Sequence, residues 1–144
     1  RAAIDALLEL APAKAPMRSA GILLRDTASV QTTVARAEAM LRAARAGVLE
    51  AIHAQWEATR SGTADSMPTR MDTRLACAWC AEACARAVDL VHAGGGGSAI
   101  LVSGRIARCF RDIHAATQHL GIALGNYELC GRVLLGLDPG TPRF

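Results

Sequence analysis

Large rings are scarce in this sequence. Two Trp, two Phe and one Tyr make up 3% of its 144 residues, so a core has to be filled with smaller groups. Alanine, about a fifth of the chain, supplies them. With Leu, Arg and Glu plentiful and β-branched residues few, the composition is that of long, closely packed helices rather than sheets. No run of about 18 apolar residues occurs, which excludes a membrane-spanning helix. Residues 1–10 lack the apolar run and cleavage signal of a secretory peptide, and a soluble cytoplasmic protein is expected. Lysine is nearly missing too, since Lys14 is the only one among sixteen basic residues, a skew that reads as GC-rich coding. The net charge of +3 is too small, and the Arg residues too evenly mixed with Asp and Glu, for a nucleic-acid surface. Five cysteines, mostly within helical patterns, argue against a disulfide framework. What remains is 51% apolar and 20% charged, which excludes disorder and suits one domain with a fair core.

Periodicity then places the helices. Residues Arg1 to Leu10 read as a first helix with Ile4, Leu7 and Leu8 on one face, ended by Pro12 and Pro16. Asp26 or Thr27 offers an N-cap for a long second helix reaching about Arg60. Within it Val34, Leu41 and Val48 recur every seven residues, beside the small Ala37, Ala44, Ala51 and Ala58, which let a neighbouring helix approach closely. The polar stretch Ser61 to Thr69 predicts a loop, and a third helix runs from about Met71 to His92. Its polar stripe is thin, comprising Glu82, Arg86 and Asp89, so neighbours should cover most of it. Gly94 to Gly97 break the chain. A fourth helix is predicted from Arg105 to Leu124 and a shorter one from Tyr127 to Leu135, with an extended tail after Gly136. The sum is an all-α fold, an up-and-down four-helix bundle with a short extra C-terminal helix.

Three groups of residues carry possible chemistry. Cys77, Cys80 and Cys84 share a helical face, but they sit among alanines with no fourth ligand at finger spacing. They are expected to be reduced, buried and free of metal. On the fourth helix Arg108, Asp112, Ala115 and His119 fall within an arc of about 60°. That face holds a cation, an anion, a gap and an imidazole, and Ala115 leaves room there for a flat ligand. From the residues alone the favoured reading is a solvated face with an Arg108–Asp112 ion pair and an incidental His. His114, about 100° away, reads as a surface or packing residue. The tetraglycine matches no P-loop and follows no strand.

Ala93-Gly94-Gly95, with the later run Arg108-Cys-Phe-Arg111-Asp112-Ile-His-Ala-Ala-Thr-Gln-His119, resembles the C-terminal helical domain of the acyl-CoA dehydrogenase superfamily. The likeness extends to the opening Arg1-Ala-Ala-Ile-Asp-Ala-Leu, to Gln31, to Ala43-Ala44-Arg45 and to the closing Gly131-Arg132-Val-Leu-Leu-Gly136. In the dehydrogenases the Arg-Asp pair is followed, six residues on, by Tyr-Glu-Gly, whose Glu is commonly the base for the substrate's α-proton. Here that place reads His119-Leu120-Gly121. Leucine accepts no proton, so the dehydrogenase base is absent from its usual place. The His instead resembles the two-component flavin-dependent monooxygenases, whose oxygenase subunit shares the dehydrogenase fold.

That resemblance implies a catalytic role for His119, facing flavin and substrate, either as hydrogen-bond donor to the transferred oxygen or as acceptor of a phenolic proton. It implies cofactor contacts at Gly94, Gly95, Arg108, Asp112 and Ala115, with reduced flavin, FAD or FMN, as cofactor and no metal. The implied partners are a separate flavin reductase, an aromatic or related small-molecule substrate and further copies in a dimer or tetramer. Nucleic acid and membrane are not among them. The family's entry motif Arg-x-x-Phe-Gly, which meets a neighbour's flavin, reads Arg18-Ser-Ala-Gly21 here, without the Phe and one residue shorter. The family's N-terminal helical domain and β-barrel do not fit in 144 residues, so this chain is expected to be the C-terminal part of a longer flavoenzyme. Two other readings stand beside this one: an acyl-CoA dehydrogenase whose base lies on another helix, and a non-catalytic helical oligomerisation module.

Overall fold

The computed structural model describes residues 1–16, 19–64, 66–142 and 144. Among these the chain is all-helical: α1 (Ala2–Leu10), α2 (Ala28–Ser61), α3 (Met67–Gly95), α4 (Arg105–Ala116) and α5 (Gly125–Leu134), with short 3-10 turns at Leu24–Asp26 and Gly96–Ser98. Contacts gather them into two compact units. The first is Arg1–Arg42 with Ala83–Ala116, and the second is Ala43–Glu82 with Thr117–Phe144. No helix among the described residues is long and apolar enough to cross a membrane.

In the first unit four helical segments share one core. Ala3, Ile4, Ala6 and Leu7 of α1, Val30 and Ala37 of α2, Ala87 and Val91 of α3 and Ile106 of α4 are all buried together. Small groups at the contacts bring the helix axes close, which is how an alanine-rich chain reaches interior packing density. Polar ties at the rim fix the arrangement. Arg105 clasps both Glu9 oxygens at 2.9 and 2.8 Å, Glu38 takes Arg1 and Arg42, and His114 Nε2 lies 2.9 Å from Asp89 Oδ1. The Phe110 ring stands between His92 and His114, 4.5 Å from each centroid, so His114 is a packing histidine.

The third helix is longer than its sequence pattern predicts at both ends. Pro68 falls in the first turn, where its missing N–H has no helical partner to lose, and the Ser66 carbonyl receives the first helical bond from Arg70. At the far end the helix continues through Gly94 and Gly95 and stops only where Gly96 turns to a φ of +53°. Lys14 Nζ closes that end, donating to the Gly95 carbonyl at 3.3 Å and to Ser98 Oγ. A cation at a helix C-terminus opposes the negative end of its dipole.

In the second unit Met71, Cys130 and Phe144 form a small core, with Leu75, Leu129 and Val133 packed against it. Thr73 donates to Gln55 Oε1 at 3.2 Å, which ties α3 to α2, and the Tyr127 hydroxyl donates to Glu82 at 2.8 Å, which ties α5 to α3. The described residues after Gly136 are non-helical, as expected, but they fold back: Arg132 holds the Asp138 carbonyl and Phe144 enters the core. Among the described cysteines no disulfide forms. Cys77, Cys80, Cys84 and Cys109 are half-buried rather than enclosed, because alanines such as Ala78, Ala81 and Ala83 take the inward positions. Cys130 is enclosed, and burial pushes its thiol up, so it acts as an apolar filler.

Candidate functional site

The fourth helix departs most from expectation. Its pattern predicts a helix to Leu124, yet α4 ends at Ala116 and residues 117–124 form a series of turns. Local side-chain bonds redirect the backbone. In a continued helix the Gly121 N–H would reach the carbonyl of Thr117; here it donates to Nδ1 of His119 at 3.2 Å. The His119 carbonyl accepts from Ile122 and Ala123, and the Leu120 carbonyl accepts from the side chain of Asn126 at 2.9 Å. The single face of Arg108, Asp112, Ala115 and His119 therefore does not exist: three of these lie on α4 in the first unit, and His119 lies on a turn of the second.

Each expected site residue now has a place. Arg108 and Asp112 form an exposed ion pair, Nε to Oδ2 3.5 Å, and Ala115 is exposed. Asp112 borders an apolar cleft of about 340 Å³ within the first unit, together with Ile4, Leu41, Cys84 and Cys109. Gly94 and Gly95 are helical, not a loop that cradles a ligand. A side chain on Gly94 would meet Thr33 Cγ2 at 3.0 Å and Leu7 Cδ2 at 3.4 Å, and one on Gly95 would meet Ala99 Cβ at 3.0 Å and Ile106 Cδ1 at 3.2 Å. Their missing side chains serve the close contact of α3 with its own unit. Arg18 lies outside the described residues. No three His, Cys, Asp or Glu side chains among the described residues converge as a metal site.

His119 borders a cleft of the second unit of about 590 Å³, with Leu120, Gly121, Leu129, Arg74, Asn126 and Thr141 on its walls. Among the described residues no Asp or Glu stands in that lining. Leu120, at the place of the dehydrogenase base, is 69% exposed beside the imidazole. Because Nδ1 accepts the Gly121 N–H, the neutral ring carries its proton on Nε2. The imidazole thus presents a donor. Arg74 adds positive charge at the back of the cleft, Nη1 to Asn126 Oδ1 2.6 Å, with its guanidinium 5.0 Å from the centre of the Phe144 ring. The lining thus combines an imidazole, a guanidinium and apolar groups.

Arg74, Asn126 and Phe144 are absent from the sequence reading of the site. Periodicity gives them no signal, since each acts through a contact distant in sequence. The only hint is a polar Asn between Gly125 and an apolar helical pattern.

Residues 1–123 match the family described as acyl-CoA dehydrogenase, C-terminal domain. The chain belongs to this family. As an acyl-CoA dehydrogenase-type helical domain it is also similar to the indole-3-acetate monooxygenase of Pseudomonas putida, 31% identical over 141 residues that cover 96% of this chain and 36% of that protein. The chain thus spans about a third of that relative's length. The match places an acyl-CoA dehydrogenase-type helical fold and a relative that is a monooxygenase on the same residues.

Proposed function

We propose that this chain is the C-terminal domain of the oxygenase component of a two-component flavin-dependent monooxygenase that hydroxylates an aromatic small molecule. The observation that carries the reading is the cleft of the second unit, which has an imidazole donor, Leu120 at the place of the dehydrogenase base and, among the described residues, no carboxylate in its lining. The 31% identical relative, a monooxygenase by name, supports the same branch. A separate reductase would supply the reduced flavin, FAD or FMN, and reduced flavin when bound supplies the electrons that activate O2.

The chain's own residues have defined tasks in this reading. His119, by its Nε2–H, donates to the oxygen being transferred, and its Nδ1 stays occupied by Gly121, so the donor role is favoured over that of a base for a phenolic proton. Leu120 and Leu129 offer apolar walls to an aromatic ring. Arg74 biases the cleft toward electron-rich or anionic ligands.

Assembly belongs to the same proposal. Leu49, Ile52 and Trp56 stand at i, i+3 and i+7 on α2, 51, 53 and 63% exposed, and a dimer or tetramer would cover them. Sedimentation of Trp56→Glu should show dissociation, and an unchanged sedimentation coefficient would remove this stripe from the interface.

The test of the chemistry is His119→Ala in the full-length protein. Hydroxylated product per reduced flavin consumed should fall roughly 100-fold while hydrogen peroxide release rises. Unchanged coupling would reject the assignment.

A further inference from the structure

Asn126 is 3% exposed and is the buried polar side chain of the described residues. It stands at the start of α5, and its amide has no bonding capacity left over in an obvious direction. Nδ2 donates to the Leu120 carbonyl at 2.9 Å and to the Ala123 carbonyl at 2.8 Å, and Oδ1 accepts Arg74 Nη1 at 2.6 Å. The bonds run backward in the chain, to carbonyls, so this is not an N-cap, whose side chain would accept N–H groups of its own helix. In a continuous helix the Leu120 carbonyl would receive the N–H of Leu124. Asn126 takes that carbonyl instead, one residue from His119. Arg74, in turn, is set by α3 and by the Phe144 ring.

We infer that Asn126 is the positioning residue of the His119 turn: by holding the Leu120 and Ala123 carbonyls against Arg74, it keeps α4 from continuing and fixes the imidazole at the cleft. This rests on the reading of His119 given above, and it adds a residue that does not touch the reacting atoms. Each of the three bonds lies within one unit and is short enough to count as ordinary hydrogen bonding. A buried amide left without such partners is costly, which makes its arrangement specific.

Two variants of the full-length protein test it. Asn126→Asp keeps the acceptor for Arg74 and loses both donors; Asn126→Leu loses all three bonds. Amide exchange over residues 117–125, followed by mass spectrometry, should rise at least about tenfold in both, while α2 and α3 stay within about twofold of the wild type. The ring ¹⁵N shifts of His119 should move from the fixed Nε2–H form to a mixture of tautomers. With reduced flavin and an aromatic substrate, coupling should fall about fivefold with KM little changed, the pattern of a misplaced group rather than a lost binding contact. Exchange unchanged over 117–125, or raised equally across α2 and α3 in both variants, would overturn the inference. His119→Ala separates the two claims, because it leaves the Asn126 bonds in place. If His119→Ala keeps full coupling the functional reading fails, whereas the exchange and ¹⁵N results still decide whether Asn126 orders the turn.

Discussion

In the first unit Ala3, Ile4, Leu7, Ala37, Val91 and Ile106 interlock four helical segments, whereas the second unit rests on Met71, Cys130 and Phe144 and on polar bonds around Asn126. The first kind of order comes from repetition along helices. It is rigid and offers chemistry little beyond a modest apolar cleft. The second kind releases backbone from the helix and sets an exposed imidazole at the edge of a larger cleft. Apolar packing by itself leaves no reason for a helix to stop at Ala116; side-chain bonds to the backbone supply one.

The contrast is broken most strongly in the first unit. Leu7 is wholly buried, and Leu7→Ala should cost about 3 kcal/mol by lost burial and a cavity, read as a lowered urea midpoint. Leu120→Ala, at an exposed position of the second unit, should stay within about 0.5 kcal/mol. Equal losses would erase the distinction. Next in size is Gly95→Leu, which forces a side chain against Ala99 and Ile106 and should destabilise by about 1–3 kcal/mol in the same measurement. Smaller again is Lys14→Met: removal of the cation from the end of α3 should cost about 1 kcal/mol and speed amide exchange near Gly95 first.

The smallest effect concerns acid. Arg42, then Arg1, holds the Glu38 carboxyl below the usual glutamate range. A carboxylate lowered in the folded state contributes stability above the unfolded value, and that contribution fades as pH falls through the lowered one. Glu38→Gln should therefore flatten the loss of stability below about pH 4, by an amount that high salt reduces. An identical acid limb in the variant would show that the pair adds nothing.

The sequence made the first unit readable because its core repeats at helical spacing: Ala37 is fully buried where the heptad pattern puts it, and Ile4 and Leu7 face inward together. The existence of five helices was equally legible, along with the loss of the carboxylate at Leu120. The ends of α3 were not, since Pro68 and Gly94 are breakers that a first turn and a tight packing contact can each accept. The His119 turn was hidden for a related reason. Its 3.6-residue pattern is intact from Arg105 onward, and what breaks it, the bonds of Asn126 and of Gly121, depends on partners that periodicity does not encode. Phe144 joined Met71 and Arg74 through a return of the chain that a sequence reading could describe only as an extended tail.

The proposal's central claim is that a cleft with the Nε2–H of His119 and, among the described residues, no carboxylate in its lining supports oxygen transfer rather than removal of an α-proton. The direct measurement gives the full-length protein reduced flavin, ¹⁸O₂ and a panel of aromatic acids, with acyl-CoA thioesters assayed in parallel under an electron acceptor. The account predicts one ¹⁸O atom in a hydroxylated aromatic product, the other in water, and no desaturated acyl-CoA. Desaturation between the α and β carbons of an acyl-CoA, without labelled aromatic product, would contradict it.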